Sequence, residues 1–193
     1  PLMVTRRGLL IGALAGGGLV VAYAATPRSF PLPLEPHEGE FAFGPWLKIG
    51  KDGTVSVAVP QLEMGQGVTT LLPQIAAWEL GADWKKVAVE PAPPSGAYAN
   101  VVLAAKWAPL WSAMPSLADS DEAFLARSFA ERNRFTVTAE GTSVAAYEQP
   151  LRLAAAAARE MLVMVAADRW DVDPHDCRCE NGHVIHGNQK ARF

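Results

Sequence analysis

Two short stretches of this sequence have residue types and spacing suited to holding a ligand. The first is Glu63-Met64-Gly65-Gln66-Gly67, two glycines flanking one amide, just ahead of a helical pattern. Glycine lets a ligand approach the backbone to hydrogen-bonding distance. A loop that leads into a helix points free N–H groups outward and favours negative charge. Gln66 offers a donor and an acceptor, which suits the edge of a heterocycle. The second stretch is "TAEGTS", residues 138–143, a polar turn also ahead of a helix. Its hydroxyls and N–H groups suit a phosphate. Two anion-friendly helix starts imply a ligand with a phosphate at one end and a polar ring at the other. On spacing alone both also read as ordinary glycine turns. The G-x-G lacks the third glycine and later acidic residue of a dinucleotide fingerprint, and no Gly-Lys-Ser/Thr follows to make a P-loop.

A third group competes. "HDCRCENGHVIH" gathers His175, Cys177, Cys179, His183 and His186, residues of metal-ligand type. Zinc sites space their cysteines by two to four residues, whereas Cys-x-Cys on a strand puts both sulfurs on one face. A hairpin with buried cysteines and surface histidines fits the same string. No residue of this chain is assigned a catalytic or metal-binding role.

The elements that position these turns follow from pattern. In "PWLKIGKDGTVSVAVPQ", Leu47, Ile49, Val55, Val57 and Val59 alternate with other residues, and Asp52-Gly53 supplies a hairpin turn. An amphipathic helix follows, with Val68, Leu71, Leu72, Ile75, Ala76 and Leu80 on one face and Gly81 at its end. Pro73 requires that this helix start at Thr70 or kink. "KKVAVEP" is a third strand. A helix is expected over 120–132, a short strand and turn in "FTVTAEGTS", and then the longest helix. Its expected buried stripe is Leu151, Ala154, Ala155, Ala158, Leu162, Val165 and Ala166. A last hairpin turns at Asn181-Gly182. Strands and helices mixed without regular βαβ alternation give the α+β class.

Bulk properties set the frame. The 193 residues are 50% hydrophobic, enough for one domain with a core, and the net charge is −3. No basic block interleaved with aromatics is present, so nucleic acid is not an expected partner. Two cysteines do not make a disulfide framework. The front of the chain has Arg6 and Arg7, an uncharged run over 8–26, and the small-x-small triplet Ala22-Tyr23-Ala24. Together these read as a twin-arginine (Tat) export signal over 1–26, with a membrane anchor as the alternative. Residues 27–43 hold four prolines and no periodicity, as a linker or extended arm does. The domain proper is expected over 44–193. A chain that starts at Pro1 and stops at "GNQKARF" reads as a piece of a longer protein.

Read together, the strings "RRGLLIGALAGG", "WLKIGKDGTVSVAVPQLEMGQGVTTLLPQIAAWELGADWKKVAVEPAP", "YAN", "PLRLAAAAAREMLV" and "RWDVDPHDCRCENGHVIH" resemble a known family. It is the molybdopterin-binding large subunit of the xanthine dehydrogenase family, N-terminal part. The branch it is similar to is the isoquinoline 1-oxidoreductase β-subunit and periplasmic aldehyde dehydrogenase type, in which the E-M-G-Q-G segment lies at the front. The resemblance covers residues 44–100 and 135–187 and the export signal, and marks 101–134 as an insertion. Trp107, Trp111 and Phe124 of that insertion suit either core packing or contact with a partner or membrane surface.

The resemblance implies a molybdenum atom held by the pterin, which hydroxylates an aldehyde or N-heterocycle with oxygen from water. Electrons leave through 2Fe-2S clusters on a small partner subunit and, in exported members, to a cytochrome c. The cofactor supplies the chemistry and the protein positions it. It implies that Gly65, Gln66 and Gly67 contact the pterin, in plain or cytosine dinucleotide form, and that Thr142 and Ser143 sit at the phosphate-binding turn. The family commonly has "GGS" or "GSSS" there, where this chain has "EGTS". The family's catalytic glutamate lies several hundred residues further on and has no counterpart; Glu63 reads as a brace for its loop. Partners implied are the remainder of the large subunit, the iron–sulfur subunit and a small-molecule substrate, in a periplasmic setting or anchored to the inner membrane by an uncleaved signal. The competing reading is a non-catalytic, membrane-tethered interaction module from a truncated or split gene.

Overall fold

A computed structural model describes residues 29–193 of the chain. The export segment expected over 1–26 lies outside the described residues. Among the described residues no helix is long and apolar enough to cross a membrane.

Valine-rich alternation forms the first sheet, in the order β1 (Glu40–Phe43), β2 (Leu47–Gly50), β3 (Val55–Val59), β4 (Val87–Pro91). The expected hairpin joins β2 to β3 antiparallel, with Leu47 opposite Val57 and Ile49 opposite Val55. Gly53 adopts φ 81°, and the Asp52 carboxylate accepts from the Thr54 N–H and hydroxyl to close the turn. The proline-rich segment runs as an extended arm whose end, Glu40–Phe43, adds strand β1 beside β2. Its Leu34 is buried in the main core.

Helix α1 (Val68–Leu80) carries the chain from β3 to β4, which pair in parallel. One βαβ crossover therefore sits inside the α+β fold. The helix starts at Val68 after Gly67, two residues before Thr70, and Pro73 lies within it. Pro73 removes one backbone bond, but its ring is buried with Leu72 and Ala76 against the sheet. Gly81 ends the helix at φ 74°, as expected.

Three α-helices and a short 3-10 turn (Pro115–Leu117) form the 101–134 region: α2 (Val101–Lys106), α3 (Ala108–Trp111) and α4 (Phe124–Arg132). The helix expected from Ser120 begins four residues later, because Ser120 closes a separate turn by accepting from Ala123 and Glu122 N–H groups. Trp111 stacks on Phe129 at 4.1 Å and Trp107 meets Phe135 edge-on at 6.1 Å, so both tryptophans pack within the chain. Phe124 is exposed.

Helix α5 (Ser143–Trp170) is the longest and packs on α1. Arg159 bonds the Glu79 carboxylate at 2.8 Å and Arg152 approaches it at 3.7 Å, joining the two helices. Its buried positions are Ser143, Tyr147, Leu151, Ala155, Ala158, Val163, Ala166 and Ala167. Val165, expected in the stripe, faces solvent while Val163, Ala166 and Ala167 are buried, so the covered side at this end of α5 is set by what packs on it.

A second sheet, β5 (Arg178–Glu180), β6 (His183–His186) and β7 (Gln189–Arg192), closes the chain. The Asn181-Gly182 turn is as expected, both residues at positive φ; β7 was not foreseen. This sheet is fastened to the end of α1. Gly182 N–H donates to Gly81 O at 2.9 Å, and a Cβ on Gly81 would meet Cys179 O at 2.5 Å.

Lys48 on β2 is buried, between Glu40 at 2.9 Å and Glu90 at 2.8 Å. Burial works to lower its pKa, but the bonds to Glu90 and Glu40 outweigh it and the value is raised. The pairing is complete below the lysine's unfolded pKa and is lost as pH rises through the higher folded one.

Gly81→Ala meets both a left-handed backbone and a backbone clash and should cost at least about 2 kcal/mol. Gly44→Ala, at φ 68° with nothing within 4 Å of the new Cβ, meets only the first, and should cost about 1 kcal/mol. Urea unfolding of the two variants measures the difference; equal losses would mean that the Cys179 contact is not rigid.

Candidate functional site

The two turns picked out by residue type lie together. Met64 and Gln66 from one, and Thr138, Ala139, Glu140, Gly141 and Ser143 from the other, line a cleft of about 200 Å³. Leu62 N–H donates to Thr138 Oγ1 at 3.0 Å and ties the loops side by side. Gly65, Gly67 and Gly141 have φ 94°, 78° and 63°. Only glycine adopts such angles without strain, so backbone conformation alone already requires these residues. Space within the chain adds no further demand at Gly65 or Gly141, where a Cβ would stand with nothing within 4 Å.

Glu63 governs the first loop. Its carboxylate accepts from Gly65 N–H at 2.8 Å, Gly67 N–H at 2.9 Å, Thr69 N–H at 3.0 Å and the Thr69 hydroxyl at 2.9 Å. The N–H groups expected to face an outside anion are therefore taken by an anion of the chain itself. The bonds from Thr69 and Gly67 N–H lead in pulling the Glu63 pKa down to about 2, against burial, with the Thr69 hydroxyl and Gly65 N–H adding to them. The Gln66 amide folds back: Nε2 donates to Leu62 O at 2.7 Å, and Oε1 accepts from Met64 N–H at 2.6 Å.

The second turn is held from behind. Thr142 is buried; its hydroxyl donates to Ala139 O at 2.8 Å and accepts from Asn100 Nδ2 at 2.9 Å. The Ser143 hydroxyl donates to Gln61 Oε1 at 2.9 Å. Both hydroxyls thus point into the fold. No side chain caps the start of α5. Glu140 stands at φ 51°, and its carboxylate accepts from Trp107 Nε1 at 2.6 Å with Lys106 Nζ at 3.8 Å. The end of α2 and the residue that follows it therefore reach the rim of this turn.

The residues that build the site without being foreseen are Gln61 and Asn100. The strand expected in "FTVTAEGTS" is absent: residues 135–139 run extended with no strand beside them. Amides replace the missing partner. Gln61 Nε2 donates to Thr136 O, and Asn100 donates through its backbone to Phe135 O and through Nδ2 to Val137 O. Asn100 Oδ1 also accepts from Leu103 N–H and caps α2. An Asn ahead of "VVLAA" is a legible capping signal; nothing local marks Gln61. Tyr147 completes the set, donating to Tyr98 O at 2.9 Å, with its pKa pushed up by burial.

The Cys/His group does not assemble. Among the described residues no three of His, Cys, Asp and Glu are grouped to hold a metal ion. Both cysteines are free thiols. Burial leads in pushing Cys179 up to about 11, which disfavours the thiolate that binds metals.

Comparison with known proteins bears on this site. Residues 12–99 match the model of a molybdopterin cofactor-binding domain. The chain is 31% identical over 187 residues to isoquinoline 1-oxidoreductase subunit beta of Brevundimonas diminuta, covering 95% of this chain and 20% of that one. It is 37% identical over 90 residues to a membrane-bound aldehyde dehydrogenase [pyrroloquinoline-quinone] of Gluconacetobacter polyoxogenes, 45% of this chain and 12% of that one. The chain thus spans about a fifth or less of the curated relatives it matches.

Two outcomes test the site's construction. Asn100→Leu removes a cap and two buried donors and should cost about 3 kcal/mol, with faster amide exchange in the helix α2 that it caps; an unchanged urea midpoint would show the amide to be dispensable. For Glu63, a folded pKa below the unfolded value of about 4.3 means its contribution is complete above that value and lost as pH falls toward 2. The amide NMR shifts of Gly65, Gly67 and Thr69 should titrate together near pH 2, and Glu63→Gln should abolish that titration.

Proposed function

We infer that this chain, which belongs to the molybdopterin-binding, xanthine dehydrogenase-type family, forms one wall of the cofactor site in an oxidoreductase's large subunit. The observation that carries this reading is the convergence of the E-M-G-Q-G loop and the "EGTS" turn on one cleft. The size of the cleft supports a wall and not a whole site: about 200 Å³ is below the ~300–1,000 Å³ that small-molecule pockets occupy. This segment would not be competent alone.

The residues fit a flat ligand edge laid against backbone. Gly65 and Gly141 leave open space, and Gly65, Gln66 and Gly67 offer the adjoining surface. For Gln66 to meet a heterocycle, its amide must turn out from Leu62 and Met64. At the second turn, Thr142 has its N–H bonded to Ala139 O and its hydroxyl turned inward. An anion there would therefore meet the Ser143 N–H and the first turn of α5, with Thr142 shaping the turn from below. When bound, the cofactor would supply the oxygen-atom and electron-transfer chemistry; these residues would bind and orient it.

The relatives' names supply two substrate classes, N-heterocycles and aldehydes, and the reading extends to hydroxylation with water as oxygen source and electron transfer to an iron–sulfur partner. The cytosine dinucleotide form of the cofactor, export, and membrane anchorage belong to the same proposal; the membrane-bound relative supports the last. The domain expected over 44–193, with 101–134 inserted, would extend back to Leu34 and strand β1, which join its core and first sheet.

The test is the molybdenum and pterin content of the native complex that contains this chain, with its polypeptides identified by mass. Molybdenum together with an iron–sulfur partner is expected, and Gln66→Ala should lower molybdenum per complex. Unchanged metal in that variant removes Gln66 from the site. A chain with neither metal nor partner favours the interaction module.

A further inference from the structure

A larger concavity lies away from the cleft. It is a groove of about 980 Å³ between the outer face of α1 and the β5–β6 hairpin, bordered by Leu71, Ile75, Trp78, Ala82 and Trp84. Trp78 is 84% exposed and Trp84 49%. Two large aromatics open to solvent at one groove are what the centre of a protein interface provides. The groove is also rigidly built. The hairpin presses on Gly81 so closely that a Cβ there would meet Cys179 O at 2.5 Å, and Gly182 N–H bonds Gly81 O. Arg152 at its edge is already paired with Glu148 and Glu79, so no unpaired arginine charge awaits a small anion there.

We propose that this groove seats a segment of the same polypeptide lying outside these 193 residues, with an apolar side chain set between Trp78 and Trp84. Length supports that occupant: the stretch matched in the isoquinoline 1-oxidoreductase subunit is 20% of it, so about four-fifths of that relative lies elsewhere. Shape argues against a second copy, since a twofold contact requires a self-complementary surface and a concave groove offers none to itself. Helix α5 agrees. It buries one side against α1 and still leaves Leu153, Met161, Met164 and Val165 exposed. Exposed apolar side chains on a helix already packed against α1 fit coverage by further polypeptide. The inference depends on kinship with longer relatives and not on the molybdenum reading.

The test uses the native full-length protein in its complex. Hydroxyl-radical footprinting should show Trp78 and Trp84 losing the oxidation they take up when the complex is unfolded in urea. Gln74→p-benzoylphenylalanine, at the groove's edge, should crosslink on illumination to a peptide of the same polypeptide outside residues 1–193. Trp78 oxidised as readily in the native complex as in urea overturns the proposal. So does a crosslink to a second copy or to a separate subunit. Protection of Trp78 without any protein crosslink overturns it in favour of a small molecule. None of these readouts depends on metal content, so the result stands apart from the cofactor assay.

Discussion

Residues 135–139 have no strand to pair with, and everything at the candidate site depends on how that is solved. Buried backbone carbonyls require donors. Two side-chain amides supply them, Gln61 to Thr136 and Asn100 to Val137. The same two amides hold the hydroxyls of Ser143 and Thr142, which set the start of α5. A loop, a helix start and the end of β3 are thereby joined in one buried network. Among the described residues no buried side-chain nitrogen or oxygen is left without a partner. In a low-dielectric interior such a network is strong when complete and costly when broken.

The first loop uses a different device toward the same end. Glu63 gathers the N–H groups of Gly65, Gly67 and Thr69, so the loop before α1 carries its own counter-anion. The two helix starts that look alike in sequence therefore differ electrostatically. α1's is neutralised by Glu63, whereas α5's has no side-chain cap. Of the pair, the second is the better match for a ligand's negative charge. Glu140 modifies it, since it borders the same cleft and carries a negative charge. Trp107 and Lys106 hold that carboxylate.

On the far side of α1 a close backbone contact takes over. Gly81 ends the helix and admits the β5–β6 hairpin in one step, because the absence of a Cβ serves both. This contact joins the second sheet to the body of the fold and shapes the tryptophan groove. The cleft borders the loop before α1, whereas the groove runs along that helix from Leu71 to Gly81.

Much of this was readable from local pattern. Alternating valines and Asp52-Gly53 specified the β2–β3 hairpin, Gly81 specified the end of α1, and Asn181-Gly182 specified the last turn, because each is a matter of neighbouring residues and backbone angles. The motif residues Gly65, Gln66, Gly67, Thr142 and Ser143 were legible as two turns ahead of helices. What the sequence could not decide was where side chains would point. Whether "FTVTAEGTS" becomes a strand depends on a partner strand, and the fold provides two amides in its place. Whether Thr142 and Ser143 offer hydroxyls to a ligand depends on Asn100 and Gln61, which are 42 and 82 residues away. Val165 reads as core on a helical wheel, yet which side of α5 is covered is set by where α1 lies. Local angles belong to the sequence; long-range donors and the choice of buried face belong to the tertiary structure, since they depend on residues far apart in the chain.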